Sequence, residues 1–538
     1  MSEPAPDATG GAEHVHRGVV SAVGAIGLAT LTSRVLGYVR DMVVAHAFGA
    51  GPVTDAFLVA FRIPNLLRRL LGEGALSTAV IPVFTETLTR GGPTAFARLA
   101  RAATGAAIVV LCVVSALGVL LSRPVVALMA PGWRADGALF ELAVTLTRVM
   151  FPYLVLVGLA ALAMGALNAH HRFFTAAVGP AVVNVAMIIA VLTLAAHVDP
   201  PIMALPIGVL VGGLGQLLVQ LPELRRLGVP LTPSAEWRHP AVARIAHRLW
   251  PAVFALAAVQ ITVVVNTLLA SLLPAGTVSY LYYADRVMEF PLGIFGIALA
   301  TAALPSMSAQ AARNDMVALR GTLEFALRMA AFVAVPAAVG LVMLGGPIVT
   351  VLFQRGEFTA SDAVLTAQAL VGYSVGLPAF SATRIAAQTF YALGDTRTPV
   401  WVGFISVAVN VVLALLLMWP MRHTGLALAS SLSSYVNAVV LCWILRRRLQ
   451  GPRRAILGPS LARTFGASAL LALWCAALSG QVPGLPAPRG HGALWTAIAL
   501  TGGVVVYAIG AAALGSTEVR GLLDMVRRRR TGVPPAKL

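Results

Sequence analysis

The sequence predicts an all-α polytopic membrane protein of about 14 transmembrane helices, built as two pseudo-symmetric six-helix lobes plus two C-terminal helices. Three observations carry that prediction. Of 538 residues, 58% are hydrophobic and 11% charged, and the mean hydropathy is +0.85, a balance foreign to ordinary soluble domains. Apolar runs of about 20 residues, enough to cross roughly 30 Å of hydrocarbon as helix, recur along nearly the whole chain. The first half of the chain also echoes in the second.

Taken in order, the expected spans are 18–45, 53–87, 100–122, 139–166, 174–195, 203–222, 248–272, 277–307, 322–345, 364–388, 398–419, 424–446, 461–479 and 494–514. They divide the chain into a polar tail (1–17), an N-lobe (18–222), an inter-lobe loop (223–247), a C-lobe (248–447), helices 13 and 14 (448–514) and a basic tail (515–538). The N-terminal stretch MSEPAPDATGGAEHVH is small and polar and lacks the basic start of a signal peptide, which predicts a disordered tail and a retained first helix.

A net charge of +18 and a pI near 11.1 could suggest nucleic acid, but the arginines follow membrane topology instead. They gather in alternate loops: Arg90, Arg98 and Arg101; Arg172; Arg225, Arg226, Arg238, Arg244 and Arg248; Arg313 and Arg320; Arg397; Arg446 to Arg448, Arg453 and Arg454; and Arg527 to Arg530. The intervening loops hold few, chiefly Arg123, Arg134, Arg355, Arg422 and Arg489. The positive-inside rule then places both termini in the cytoplasm and excludes nucleic acid as the partner. The run at 527–530 reads either as a topology anchor or as a contact for anionic membrane lipids. Lys537 is the only lysine, so the choice of arginine at any one site carries little weight. Cys112, Cys442 and Cys475 lie inside apolar runs without CxxC or metal-ligand spacing and read as packing residues.

The repeat organises the chain. GALSTAVIPVFTE at 74–86 matches IALATAALPSMSA at 297–309, aligning Leu76 with Leu299, Thr78 with Thr301 and Pro82 with Pro305. A weaker echo pairs Leu167 with Leu393 and Asn184 with Asn410. An even number of spans separates equivalent positions, so the halves share orientation, as in transporters whose repeats are related by an axis along the membrane normal.

Charge within this apolar chain points to function. Residues 33 to 86 place Arg34, Arg40, Asp41, Asp55, Arg62, Arg68, Arg69 and Glu73 among residues otherwise fit for a bilayer. One Arg or Asp at the centre of a span costs roughly 2.5–3.5 kcal/mol on insertion scales, so a cluster implies a wet cavity, ion pairs or a charged ligand. At 100° per residue Arg34 and Asp41 share a face, as do Arg62, Arg69 and Glu73. The second lobe carries Asp285, Arg286 and Glu289 in the equivalent stretch, which predicts Arg34, Arg40 and Arg68 facing Arg286 across one cavity. Two readings of the cluster stand: arginines and carboxylates that simply neutralise each other, or a cationic surface for an anionic ligand.

No HExxH, Walker A or GxSxG motif and no paired loop acids are present, so the sequence offers neither a metal site nor an enzyme, and implies no cofactor. SRVLGYVRDMVVAHAFGAGPVTDAF, then FRIPNLLRRLLGEGALSTAVIPVF, and later YYADRVMEFPLGIFGIALATAALPSMS closely resemble the MurJ (MviN) lipid II flippases of bacteria. The resemblance covers residues 20 to 450, with helices 13 and 14 similar in placement and length. It implies the fold of the multidrug/oligosaccharidyl-lipid/polysaccharide exporter superfamily, residence in the bacterial cytoplasmic membrane, and transport of undecaprenyl-diphosphate-linked peptidoglycan precursor between leaflets by alternating access.

By position, the family's cavity arginines fall on Arg34, Arg40, Arg68 and Arg286, supported by Asp41, Asp55, Glu73 and Asp285, and helices 13 and 14 would supply a groove for the lipid tail. Guanidinium groups suit a diphosphate through charge-assisted hydrogen bonds. One departure stands out. Where some members have a sodium site with carboxylates on helices 7 and 11, the matching positions are Asn266 and Ala414, beside Asn410 and Ser430. Neutral oxygens alone bind a hard monovalent cation poorly, so the chain is expected to respond to membrane potential or a proton. Two other functions remain open from sequence: export of another anionic amphiphile, and a transport-inactive scaffold that joins other cell-wall synthesis proteins.

Overall fold

The computed structural model describes residues 31–68, 76–236, 239–449, 457–478 and 492–519; Glu73, the N-terminal tail and the arginine run at 527–530 lie outside them. All regular elements among the described residues are helices. By packing, the chain forms two compact units, Met1–Ala275 and Gly276–Leu538.

The first unit holds α1 (31–48), α2 (Pro52–Arg68), α3 (Leu76–Leu120), α4 (Ser122–Met129), α5 (Gly137–Met150), α6 (Tyr153–Ala169), α7 (Phe173–Leu194), α8 (Ala204–Arg226) and α9 (Pro240–Ser271). α3 is two limbs rather than one rod. Twelve residues of straight helix span about 18 Å, yet the rings of Phe84 and Phe96 meet at 5.3 Å, because the chain turns at Gly92, whose φ of 72° favours glycine. Around this turn Val80, Phe84, Phe96 and Leu99 pack with Leu167 of α6, Leu224 of α8 and Ile245 of α9.

α7 and α8 approach closely because α8 presents glycine. A Cβ at Gly208 would stand 2.9 Å from Met187 Cα, and one at Gly212 would stand 2.8 Å from Val183 Cα. The segment after α8 returns to α3: Ser234 N donates to the Arg101 carbonyl at 3.2 Å. Glu236 pairs with Arg98 at 2.7 Å, and this partner holds the Glu236 carboxyl below the usual range. α9 begins at Pro240, earlier than the apolar run at 248, because proline suits the first turn and the His239 ring accepts from Ala241 N. α9 packs on α3 and belongs to the first unit, so the packing boundary falls after the position where the sequence repeat divides the chain.

The second unit holds α10 (Thr277–Pro291), α11 (Ala298–Ala312), α12 (Met316–Phe353), α13 (Ala360–Ser374), α14 (Leu377–Ala392), α15 (Arg397–Arg448), α16 (Leu457–Leu478) and α17 (Ala493–Ala513), with a π-helical turn, Leu292–Ile297, between α10 and α11. α13 and α14 meet at a 43° bend. Gly376 N donates there to the Tyr373 carbonyl, and the freed Gly372 carbonyl accepts from the Ser431 hydroxyl at 2.7 Å. α15 reverses at Arg422 (φ 50°): Ser406 Oγ donates to the Ser433 carbonyl at 3.0 Å across 27 positions. Its limbs match the two spans expected at 398–419 and 424–446.

Before α15, Asp395 caps the turn. It accepts from Arg397 N, Thr398 N and the Thr398 hydroxyl and pairs with Arg448 at 2.6 Å. The Thr398 bonds and Arg448 hold its carboxyl down to about 2.

α16 and α17 form a pair that packs on α12. Pro336 in α12 has no N–H to offer the carbonyl of Phe332, four residues earlier. The Tyr507 hydroxyl of α17 donates to that carbonyl at 2.6 Å. Below it, Glu518 accepts from the hydroxyls of Ser460 and Ser516, each at 2.8 Å.

Val109, Val110, Val113 and Leu117 on α3 and Val412, Leu415 and Leu416 on α15 are exposed, as lipid-facing side chains are. Eight helical stretches among the described residues are long and apolar enough to cross a membrane, nine if α13 and α14 form one span. The expected 14 is a different count: it takes the two limbs of α15 separately and joins the first limb of α3 to α2 in the span at 53–87. The span expected at 139–166 corresponds to the single stretch Gly137–Ala169, in which α5 and α6 meet at Phe151 and Pro152, and the one at 277–307 carries the π turn.

Candidate functional site

The first unit places most of the predicted charges on α1 and α2. α1 ends at Gly49 (φ 65°), and the Thr54 hydroxyl donates to the carbonyls of Phe48 and Gly49, locking the α1–α2 corner. Asp55 sits in the first turn of α2 and is 1% exposed, where the positive end of the helix dipole favours a carboxylate.

Two turns into α1, Arg40 and Asp41 are both buried, at 8% and 2% exposure. Arg40 Nη2 lies 2.6 Å from Asp41 Oδ1, Arg40 Nε donates to the same oxygen at 3.0 Å, and Nη1 donates to Asn184 Oδ1 at 3.0 Å. A buried guanidinium needs such partners, since the desolvation of each ion must be offset. Arg40 is therefore held within the helix packing by an adjacent acid and an amide from α7.

Arg34 is different. It lies six residues earlier on α1 and is exposed. Arg68 closes α2; its side chain, like all of Glu73, is outside the described residues. Arg62, two turns before it, donates to the Val263 carbonyl of α9 at 3.2 Å.

In the second unit Arg286 lies on α10, half-buried, with Nη1 3.0 Å from Glu289 Oε2 and its guanidinium over the Tyr282 ring at 5.4 Å. The Arg286 side chain remains 30% exposed beside that ring and carboxylate, and a guanidinium so placed can meet an anion. Asp285 beside it is half-buried.

At the positions matched to a sodium site, Asn410 Nδ2 donates to Ser430 Oγ at 3.3 Å, and Ala414 is fully buried. Asn266 lies half-buried on α9 of the first unit. Among the described residues no three His, Cys, Asp or Glu side chains gather as metal ligands.

Sequence reasoning missed the partners rather than the charges. Asn184 was visible as a lone amide in the α7 apolar run and as the counterpart of Asn410, but nothing linear ties it to Arg40. The Arg62 bond to a backbone carbonyl leaves no sequence signal.

The family model described as lipid II flippase MurJ matches residues 44–485. A relative from Vibrio cholerae, named probable lipid II flippase MurJ, is 40% identical over 419 residues, covering 77% of this chain and 80% of its own. The chain belongs to the MurJ lipid II flippase family.

The MurJ likeness extends across the chain. A Burkholderia cenocepacia lipid II flippase MurJ is 40% identical over 424 residues, covering 78% of this chain and 82% of its own. A Rhizobium meliloti protein named probable lipid II flippase MurJ is 36% identical over 520 residues, 94% of each chain. Among solved structures, a lipid II flippase MurJ in an inward closed conformation superposes with a TM-score of 0.78 at 23% identity, covering 93% of this chain and 99% of its own. An inward-facing MATE multidrug transporter of the MOP superfamily gives 0.64 at 15% identity, covering 80% and 98%. These two show the fold. MurJ membership makes the chain a polytopic membrane protein of a transporter family and, of the functions left open by the sequence, favours lipid II transport over other amphiphiles and over a scaffold.

Proposed function

We propose that this protein carries lipid II from the inner to the outer leaflet of the bacterial cytoplasmic membrane by alternating access, with both termini in the cytoplasm and without making or breaking covalent bonds. Arg34, Arg68 and Arg286 contact the diphosphate. Arg40, with Asp41, organises α1, while Asp55, Glu73 and Asp285 support the arginines. α16 and α17 hold the lipid tail, and anionic lipids gather at the basic C-terminal tail.

The observation that carries this reading is the contrast within α1: Arg40 is buried and bonded to Asp41 and Asn184, whereas Arg34, on the same helix, is exposed. Among the described residues, mutual neutralisation accounts for the first and not for the second. A diphosphate accepts charge-assisted hydrogen bonds from such a group, strongest where water is scarce.

The test is complementation of cells depleted of their flippase, paired with a leaflet-accessibility assay for labelled lipid II. Restored growth and outer-leaflet lipid II are expected. A stable, inserted protein that restores neither overturns the reading.

A further inference from the structure

Asn184 spends both ends of its amide on one neighbouring helix. It lies in α7 among Ala, Val, Ile and Met and is 8% exposed. Its Oδ1 accepts from Arg40 Nη1 at 3.0 Å, and its Nδ2 donates to the Ser33 backbone carbonyl at 3.1 Å. A guanidinium only donates and a carbonyl only accepts, so these partners fix the amide's orientation. Ser33 and Arg40 are seven positions apart, about two turns of α1. Between them, a Cβ on Gly37 would stand 3.7 Å from Asn184 Nδ2, so the amide lies against the bare face of the helix.

We propose that Asn184 is a positioning residue for lipid transport. By bracketing two turns of α1 it sets the rotation of that helix, presenting Arg34, the residue next to Ser33, and keeping Arg40 on Asp41. The second effect matters because Asp41 shares a face with Arg34: a carboxylate committed to Arg40 does not compete with an anionic ligand for Arg34. The bracket is particular to the first unit. Asn410, its counterpart in the repeat, bonds the Ser430 hydroxyl instead. The role of Arg34 in this inference rests on the proposed diphosphate reading; the bracket does not.

The test reads helix position without transport. In full-length protein with Cys112, Cys442 and Cys475 replaced by alanine, Arg34→Cys is a reporter for modification by a cationic methanethiosulfonate in lipid nanodiscs. Asn184→Leu is expected to slow that modification about fivefold, the scale of one net hydrogen bond. Asn184→Asp keeps an acceptor for Arg40 but cannot donate to Ser33; it is expected to slow modification to a lesser degree and covers the case in which the leucine variant does not fold.

In transport assays with Arg34 intact, Asn184→Leu is expected to lower turnover, and to lower it by a smaller factor in an Arg40→Leu background, where only the Ser33 bond is left to lose. An unchanged modification rate in a monodisperse variant overturns the inference. Failure of the diphosphate reading shows separately, as transport that survives Arg34→Ala.

Discussion

Asn410 and Ser430 lie 20 positions apart, on the two limbs of α15, and the amide of the first donates to the hydroxyl of the second at 3.3 Å. A straight helix would separate them by about 30 Å, so they face each other only because α15 folds back at Arg422. The bond joins two neutral groups beside Ala414, one of the two positions that the sequence matches to carboxylates of a sodium site in some family members.

That chemistry predicts sodium independence. Replacing sodium by a large organic cation at constant membrane potential is expected to leave the rate of lipid II flipping unchanged, while collapsing the potential slows it. A potential acts at about 2.3 kcal/mol per charge per 100 mV, enough to bias an arginine-lined carrier. Transport that stops when sodium is removed contradicts this.

Arg34 and Arg40 are expected to fail in different ways. Arg34→Ala should abolish transport with little change in thermal stability, since the side chain is exposed. Arg40→Ala leaves the Asp41 carboxylate in a buried site and is expected to cost about 3–5 kcal/mol, seen as a lower unfolding temperature. Pairing it with Asp41→Leu should recover much of that loss. Equal stability of the two single variants would remove the distinction between ligand contact and organiser.

At the α7–α8 contact, Gly208→Val is expected to destabilise by about 1–3 kcal/mol, because its Cβ would already stand 2.8 Å from Ala190 Cβ and 2.9 Å from Met187 Cα. Gly321→Ala, where nothing lies within 4 Å of the added carbon, serves as the control and should be neutral. Parallel thermal unfolding of the two variants decides it.

Asp395 supplies a pH prediction with a defined sign. Its carboxyl is held down to about 2, so the stability it contributes is complete above its unfolded value near 3.8 and is lost as pH falls towards 2. Asp395→Ala should lower stability by about 1 kcal/mol, as for other capping residues, equally from pH 8 to pH 5. The difference from wild type should shrink below pH 4. A difference that already fades at pH 6 would mean that the carboxyl is not held down.

The helices were legible because lipid demands long apolar runs, and the two limbs of α15 fall where hydropathy places them. Other features were hidden by averaging. The joint of α5 and α6 at Phe151 and Pro152 lies inside one span and does not lower its hydropathy, and α9 starts eight residues before its apolar run, in a turn whose Arg244 reaches Glu86 at 3.4 Å. The charged residues of the candidate site were legible as energetic anomalies. Their division was not: Arg34 and Arg40 look alike in sequence, and the amide that separates them comes from 144 positions away.

The bond from Tyr507 to the Phe332 carbonyl bears on how the last two described helices can be treated. Pro336 opens a vacancy in the α12 ladder, and the hydroxyl that fills it arrives 171 positions later in the sequence. A protein shortened before α16 would leave that carbonyl facing hydrocarbon without a donor, so α16 and α17 are not a detachable appendage. Synthesis of α12 is finished long before its hydrogen bonding is, and a nascent chain carries that debt until α17 has been made.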